Sequence, residues 1–168
     1  SFDGTIVHPS RWPDDLDLTG KKVICIGSGA TTATVVPAIA GQCEHVTVLQ
    51  RSPTYFWTRP NRNETADMLR ELDIPEEWVH EIVRRKILHD QDLFTKRARE
   101  ESDAVKKELL DAVRAYVGDE EVERNFTPKY RPWQQRLAFV PEGDLFKGML
   151  AGQAAVVTDE LDRFTEKG

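Results

Sequence analysis

The residue types able to do chemistry in this chain are concentrated in two short stretches. Gly27-Ser28-Gly29 follows a continuous apolar run, Val23-Ile24-Cys25-Ile26, and leads into Ala30-Thr31-Thr32. Gly27 permits a tight strand-to-helix turn, and Gly29 lets the backbone approach a pyrophosphate with no Cβ in the way. The free N–H groups at the helix start then direct partial positive charge at the anion. The second stretch, Gln50-Arg51-Ser52, closes a β-branched run about twenty residues further on. A fold that selects NAD places an acid there to hold the ribose 2′-hydroxyl. This chain has none, and Arg51 with Ser52 offers a partner for a 2′-phosphate instead. A charge-assisted hydrogen bond of that kind contributes roughly 1.5–3 kcal/mol, or about a ten- to hundredfold preference. The predicted cofactor is NADP(H), held by Gly27, Ser28, Gly29, Ala30, Thr31, Thr32, Arg51 and Ser52.

The elements that must position these residues follow from the same pattern. A buried strand over 23–26, a helix over 30–40 bounded by Gly41, and a strand over 45–49 make a βαβ unit. Pro37 should kink or shorten that helix. Thr32 stands where a third fingerprint glycine belongs, which predicts that helix and strand are offset, with Ala33 a partial substitute. Tyr55-Phe56-Trp57 lies between prolines, which excludes a helix, and is expected to line a cleft or an interdomain face; Arg59 and Arg62 read as solvated.

Residues 63–125 read as helices. Asn63 caps one carrying Met68, Leu69 and Leu72, and Pro75-Glu76-Glu77 opens another with Trp78, Val79, Ile82 and Val83 on one side. A third spans about 101–117 with Val105, Leu109, Leu110, Val113 and Val117 at helical spacing, an Asp103–Lys107 pair, and Gly118 as its end. Residues 127–137 form a loop, 144–150 a short helix, and 154–158 a buried strand pairing in parallel with the first unit. Residues 161–165 should begin another strand. The fold class is α/β, a Rossmann-like parallel sheet with a helical insertion. It divides into a linker over 1–20, a nucleotide-binding domain over 21–62 and 126–168 whose strands share one sheet, and an insertion over 63–125.

Composition narrows the partners. The 168 residues include 23 basic and 29 acidic side chains, a net charge of −6, which recommends neither a nucleic acid nor a membrane surface. No apolar run approaches the roughly eighteen residues of a membrane helix and no leader pattern is present, so the expected location is cytoplasmic. Cys25 and Cys43 lack C-x-x-C spacing, and Cys25 reads as a small buried hydrophobe. His8, His45, His80 and His89 are too scattered for a metal site. The chain opens at Ser1 within what reads as a motif and closes at Thr165–Gly168 in a turn-like segment, an expectation of a piece excised from a longer protein.

That opening motif carries a resemblance. Phe2-x-Gly4-x-x-x-His8-x-x-x-Trp12-Pro13 resembles the F-x-G-x-x-x-H-x-x-x-W-P fingerprint of flavoprotein Baeyer–Villiger monooxygenases, and it stands directly before a second dinucleotide fold, as in that family. The resemblance implies an NADPH- and FAD-dependent monooxygenase that inserts oxygen into ketones or aldehydes. This chain would be its NADP domain, inactive without an FAD domain of the same parent chain. It further implies that His8 couples cofactor movement to catalysis, and that Arg136 matches an arginine facing the flavin, where an always-charged guanidinium stabilises an anionic oxygen species. Gln135 stands where the family has a lysine that helps hold the 2′-phosphate, which throws that duty onto Arg51 and Ser52. Two other readings stay open: an N- or S-oxygenating flavin monooxygenase, against which Trp12-Pro13 argues, and a non-enzymatic NADP-binding module.

Overall fold

The computed structural model describes residues 2–166 and 168. Ser1 and Lys167, within the two chain-end segments read above, lie outside the described residues. The β-branched run forms strand β1 (Lys22–Ile26), the glycine turn leads into helix α1 (Ala30–Ile39), and the chain returns as β2 (His45–Gln50) parallel to β1, with Val23 opposite Val46 and Ile26 opposite Leu49. The last strand, β5 (Ala154–Thr158), pairs in parallel with the far side of β2, Val46 opposite Ala154 and Gln50 opposite Thr158, so the order is β1-β2-β5.

Side-chain alternation sorts this sheet into two unlike faces. Val46, Val48, Ala154 and Val156 share one core with Ala33, Val36 and Ile39 of α1. The opposite face leaves Ile24, Ile26 and Val157 exposed, at 55, 56 and 43%. Pro37 sits in the last turn of α1, where the helix ends two residues later.

The sequence pattern predicts one sheet for all the strands, and the structure corrects this. β3 (Phe56–Arg59) and β4 (Ala138–Pro141) pair with each other in parallel and form a separate two-stranded sheet. The reason lies in the aromatic triplet, which packs inside this unit and is not an open cleft lining. Tyr55 and Phe56 are buried, and Phe56 meets Phe126 and Phe146 edge-on at 5.7 Å each. Trp57, on the opposite side of the strand, stacks on Phe94 at 4.8 Å. A strand apolar on both faces needs cover on both, and the helices provide it.

These helices are α2 (Glu64–Glu71), α3 (Glu76–Glu100), α4 (Ser102–Val117) and α5 (Asp119–Asn125), followed after β4 by α6 (Asp144–Leu150). Asn63 caps α2 by accepting the Ala66 N–H at 3.0 Å. Helix α4 buries Val105, Leu109, Leu110 and Val113, the stripe its spacing predicts. Three details differ from expectation. On α3 Val79 is buried but Trp78 and Ile82 face solvent, 58 and 40% exposed. Lys107 pairs with Asp111 at 2.5 Å, one turn onward, where Arg114 also binds the carboxylate, and not with Asp103. Residues 161–165 form no strand. Instead the segment returns to the N-terminus: the Asp3 N–H donates to the Glu166 carbonyl at 3.1 Å, and the Phe2 and Phe164 rings lie 6.3 Å apart. Phe2 also lies over Gly4, where a Cβ would come within 2.3 Å of the ring, a physical reason for glycine two residues after this aromatic.

Candidate dinucleotide site

At the carboxyl ends of β1, β2 and β5 lies a cleft of about 500 Å³, lined by Ile26, Gly27, Ser28, Leu49, Arg51, Ser52, Asp159, Glu160 and Leu161. This is where open α/β sheets hold ligands, because loops diverge beyond the strand ends and helix N-termini converge on them. Gly27 takes φ +115°, a conformation that other residues rarely adopt, and its N–H donates to the Leu49 carbonyl at 2.8 Å, fastening the turn to the tip of β2. Gly29 begins α1 with no side-chain cap, no acid occupies the first turn, and a Cβ built on Gly29 would meet nothing within 4 Å. The amides of Ala30, Thr31 and Thr32 therefore open onto space, the arrangement a phosphate group fits. Thr32 is half-buried and its Oγ1 stands 4.0 Å from the point a Cβ on Gly27 would occupy, while Ala33 is the residue buried in the core.

The walls of the cleft differ in charge. Arg51 is exposed at the tip of β2, and among the described residues no ion pair holds it. Ser28 Oγ lies 3.0 Å from Thr54 Oγ1 and 3.4 Å from the Ser52 carbonyl, bracing the turn against the segment that follows β2. Asp159, Glu160 and Leu161 make the other wall, fixed by the Asp159 N–H donating to the Gln50 carbonyl at 3.0 Å. Sequence reasoning missed these three. The parallel pairing expected for 154–158 carried the signal, since it sets the residues after Thr158 beside those after Gln50.

Of the residues singled out from the sequence, Gly27, Ser28, Arg51 and Ser52 line the cleft, whereas Gly29, Ala30, Thr31, Thr32, His8, Gln135 and Arg136 do not. His8 caps a short 3₁₀ turn (Pro9–Arg11), its Nδ1 within 3.3 Å of the Ser10 N–H and 2.8 Å of the Ser10 hydroxyl, and is exposed. Gln135 and Arg136 are exposed on the loop between α5 and β4. That loop is tied to the segment following β2 nonetheless. Tyr55 Oη donates to the Tyr130 carbonyl at 2.7 Å, Tyr130 Oη to the Pro53 carbonyl at 3.4 Å, and the Ala138 N–H to the Tyr55 carbonyl at 2.9 Å. Burial first, with Tyr130 and Asp103 as neighbours, pushes the Tyr55 phenol up to about 12. Trp133 in the same loop holds φ +61°, a conformation costly for a non-glycine residue. Among the described residues no three His, Cys, Asp or Glu side chains gather as for a metal, and no helix is long and apolar enough to cross a membrane. Burial, more than the nearby Cys43, pushes the Cys25 thiol up from its ordinary value.

No protein-family model matches the chain. Its sequence is 45% identical over 99% of its length to the FAD-containing monooxygenase MymA of Mycobacterium tuberculosis. It is 42% identical over all of its length to the FAD-binding monooxygenase AlmA of Acinetobacter baylyi, and 41% identical over 99% to the FAD-containing monooxygenase EthA of Mycolicibacterium smegmatis. The chain spans about a third of the length of each, 34%. Among solved structures it shares its fold with an oxidized steroid monooxygenase bound to NADP, at 23% identity and TM-score 0.65, and with cyclohexanone monooxygenase, at 22% identity and TM-score 0.64. It is covered to 94% in both and matches 36 and 37% of those chains. The chain is thus homologous to a segment of FAD-containing monooxygenases, which are enzymes, and the likeness read from its opening fingerprint and its α/β class are borne out at that level.

Proposed function

We propose that this chain is the NADP(H)-binding domain of an FAD-dependent monooxygenase of Baeyer–Villiger type, acting in the cytoplasm on a ketone or aldehyde. The observation that carries the reading is the cleft over the glycine turn, lined by Gly27, Ser28, Arg51 and Ser52, with the uncapped start of α1 following that turn in the chain. The homology to FAD-containing monooxygenases and the fold shared with an NADP-bound one support it. In this reading the amides after Gly29 hold the pyrophosphate, and Arg51 and Ser52 hold the 2′-phosphate. NADP(H), when bound, supplies the hydride for an FAD held mainly by another domain of the same parent chain. His8 would answer cofactor movement, and Arg136 would present a fixed positive charge toward the flavin, on a loop secured by Tyr55 and Tyr130. On this reading the segment by itself would turn over nothing, the flavin being held mainly by the other domain.

The test is product analysis on the complete gene product given NADPH and oxygen with either a ketone or an amine. Ester from the ketone supports the reading, and oxygenation of the amine alone replaces it with an N-oxygenating enzyme. In the Arg136→Ala variant NADPH oxidation persists, while oxygenated product falls on the order of 10²–10³-fold. Undiminished product removes Arg136 from the mechanism.

A further inference from the structure

Directly behind Arg51, two polar side chains are buried within the apolar core. Gln50 is 1% exposed and Asn125 2%. Gln50 lies on β2, Thr158 opposite it on β5, and Asn125 at the end of α5. Gln50 Nε2 donates to the Asn125 carbonyl at 2.6 Å and to Thr158 Oγ1 at 2.8 Å. The Thr158 hydroxyl donates to Asn125 Oδ1 at 2.7 Å, and Asn125 Nδ2 donates to the Val156 carbonyl at 3.1 Å and to Glu121 Oε1 at 2.8 Å. One acceptor in the set, Gln50 Oε1, is buried with no hydrogen-bond partner.

We infer that Gln50 and Asn125 are positioning residues for the 2′-phosphate end of the cleft, clamping the tips of β2 and β5 to the helical insertion so that Arg51 and the Asp159 wall keep a fixed separation. This rests on the nucleotide reading above and adds the residues that set its selectivity. A buried amide with one unpaired oxygen is a poor way to fill a core, since apolar groups of the same shape are neutral or better. What the amide provides and an apolar side chain cannot is direction: its bonds reach the neighbouring strand and the insertion at once, at the last paired residue before each cleft wall. Gln50 is followed by Arg51 and Thr158 by Asp159, both of which line the cleft, and the Asp159 N–H is itself bonded to the Gln50 carbonyl. Without the clamp the adjacent backbone pairs still hold, so the sheet survives while the tips diverge.

The wall positions give the clamp its consequence. Asp159 and Glu160 carry the sign a 2′-phosphate avoids, and Arg51 the sign it seeks. Electrostatic energy varies steeply with distance at this range, so a tip displaced toward the acids loses selectivity before it loses binding. The insertion, which bears none of the cleft residues, thereby acts on nucleotide choice through Asn125.

The experiment measures dissociation constants of 2′,5′-ADP and 5′-ADP by calorimetry on the complete gene product, for the unmodified protein, Gln50→Met and Thr158→Val. The first variant keeps side-chain length without the amide, and the second removes only the hydroxyl and should fold if the first does not. The expected result is a 2′,5′-ADP over 5′-ADP preference reduced about three- to tenfold in each variant, with 5′-ADP binding within about twofold of the parent. An unchanged preference accompanied by a lower melting temperature, or equal loss of both ligands, would make the network a structural filler and overturn the inference. No preference in the unmodified protein would overturn the nucleotide reading itself, and the inference with it.

Discussion

At the scale of single residues, the proposed function rests cofactor choice on Arg51. It is exposed on the cleft wall, and Gln135 is a neutral residue where the resembled family has a helping cation. Alanine at position 51 should therefore lower NADPH affinity by about ten- to hundredfold and leave NADH almost unaffected, since only the former carries the charge Arg51 meets. Calorimetry with both cofactors decides it: an undiminished preference for NADPH would relieve Arg51 of the role. Gly27 was legible for the same local reason, because the turn it makes is demanded by the residues on either side of it. Asp159 and Glu160 were not, because their place beside Arg51 comes from a partner strand more than a hundred positions away in the chain.

At the scale of elements, what the sequence revealed depended on whether a segment had one apolar face or two. The strands β1, β2 and β5 and the helix α4 carry a clean stripe or run, and each formed where its period said. Tyr55-Phe56-Trp57 has apolar side chains pointing both ways, so its composition suggests the lining of a cleft or an interdomain face, whereas it enters strand β3 between two packed layers. Helix α5 was hidden by Gly118, which ends one helix and starts the next. Tyr55 joins these layers to the loop bearing Arg136, and phenylalanine there should cost about 0.5–1.5 kcal/mol in urea unfolding. The sign of its alkaline effect follows from the raised phenol. The folded state holds the proton more tightly, so the contribution is complete below the ordinary value of 10.0 and disappears as pH climbs toward about 12. Parent and Tyr55→Phe should thus differ less in stability at the alkaline end of that window, and a constant difference would deny the coupling.

At the scale of the whole molecule, helices α3 and α4 carry a surface of carboxylates held below their ordinary values. Hydrogen bonds from Arg70, Arg85, Arg97 and Lys107 depress Glu76, Glu81, Glu108 and Asp111 respectively. A depressed carboxylate favours the fold above its ordinary value and ceases to do so as pH falls through the lowered one. The urea midpoint should therefore hold steady from neutrality and decline only beneath the ordinary glutamate and aspartate values of 4.5 and 3.8. All four groups are exposed, so added salt should flatten the decline, and a salt-insensitive decline would point to buried groups instead.

The pairing of Val46 with Ala154 has a consequence in time. Strands β1 and β2 are joined by a short helix and can meet early, whereas β5 must wait until everything between has been made and gathered, a closure that chain entropy retards. A nascent chain on the ribosome thus owns its glycine turn long before it owns a pocket. A nucleotide held there as proposed would not guide the early stages of folding and would only lock a structure whose final wall has already arrived.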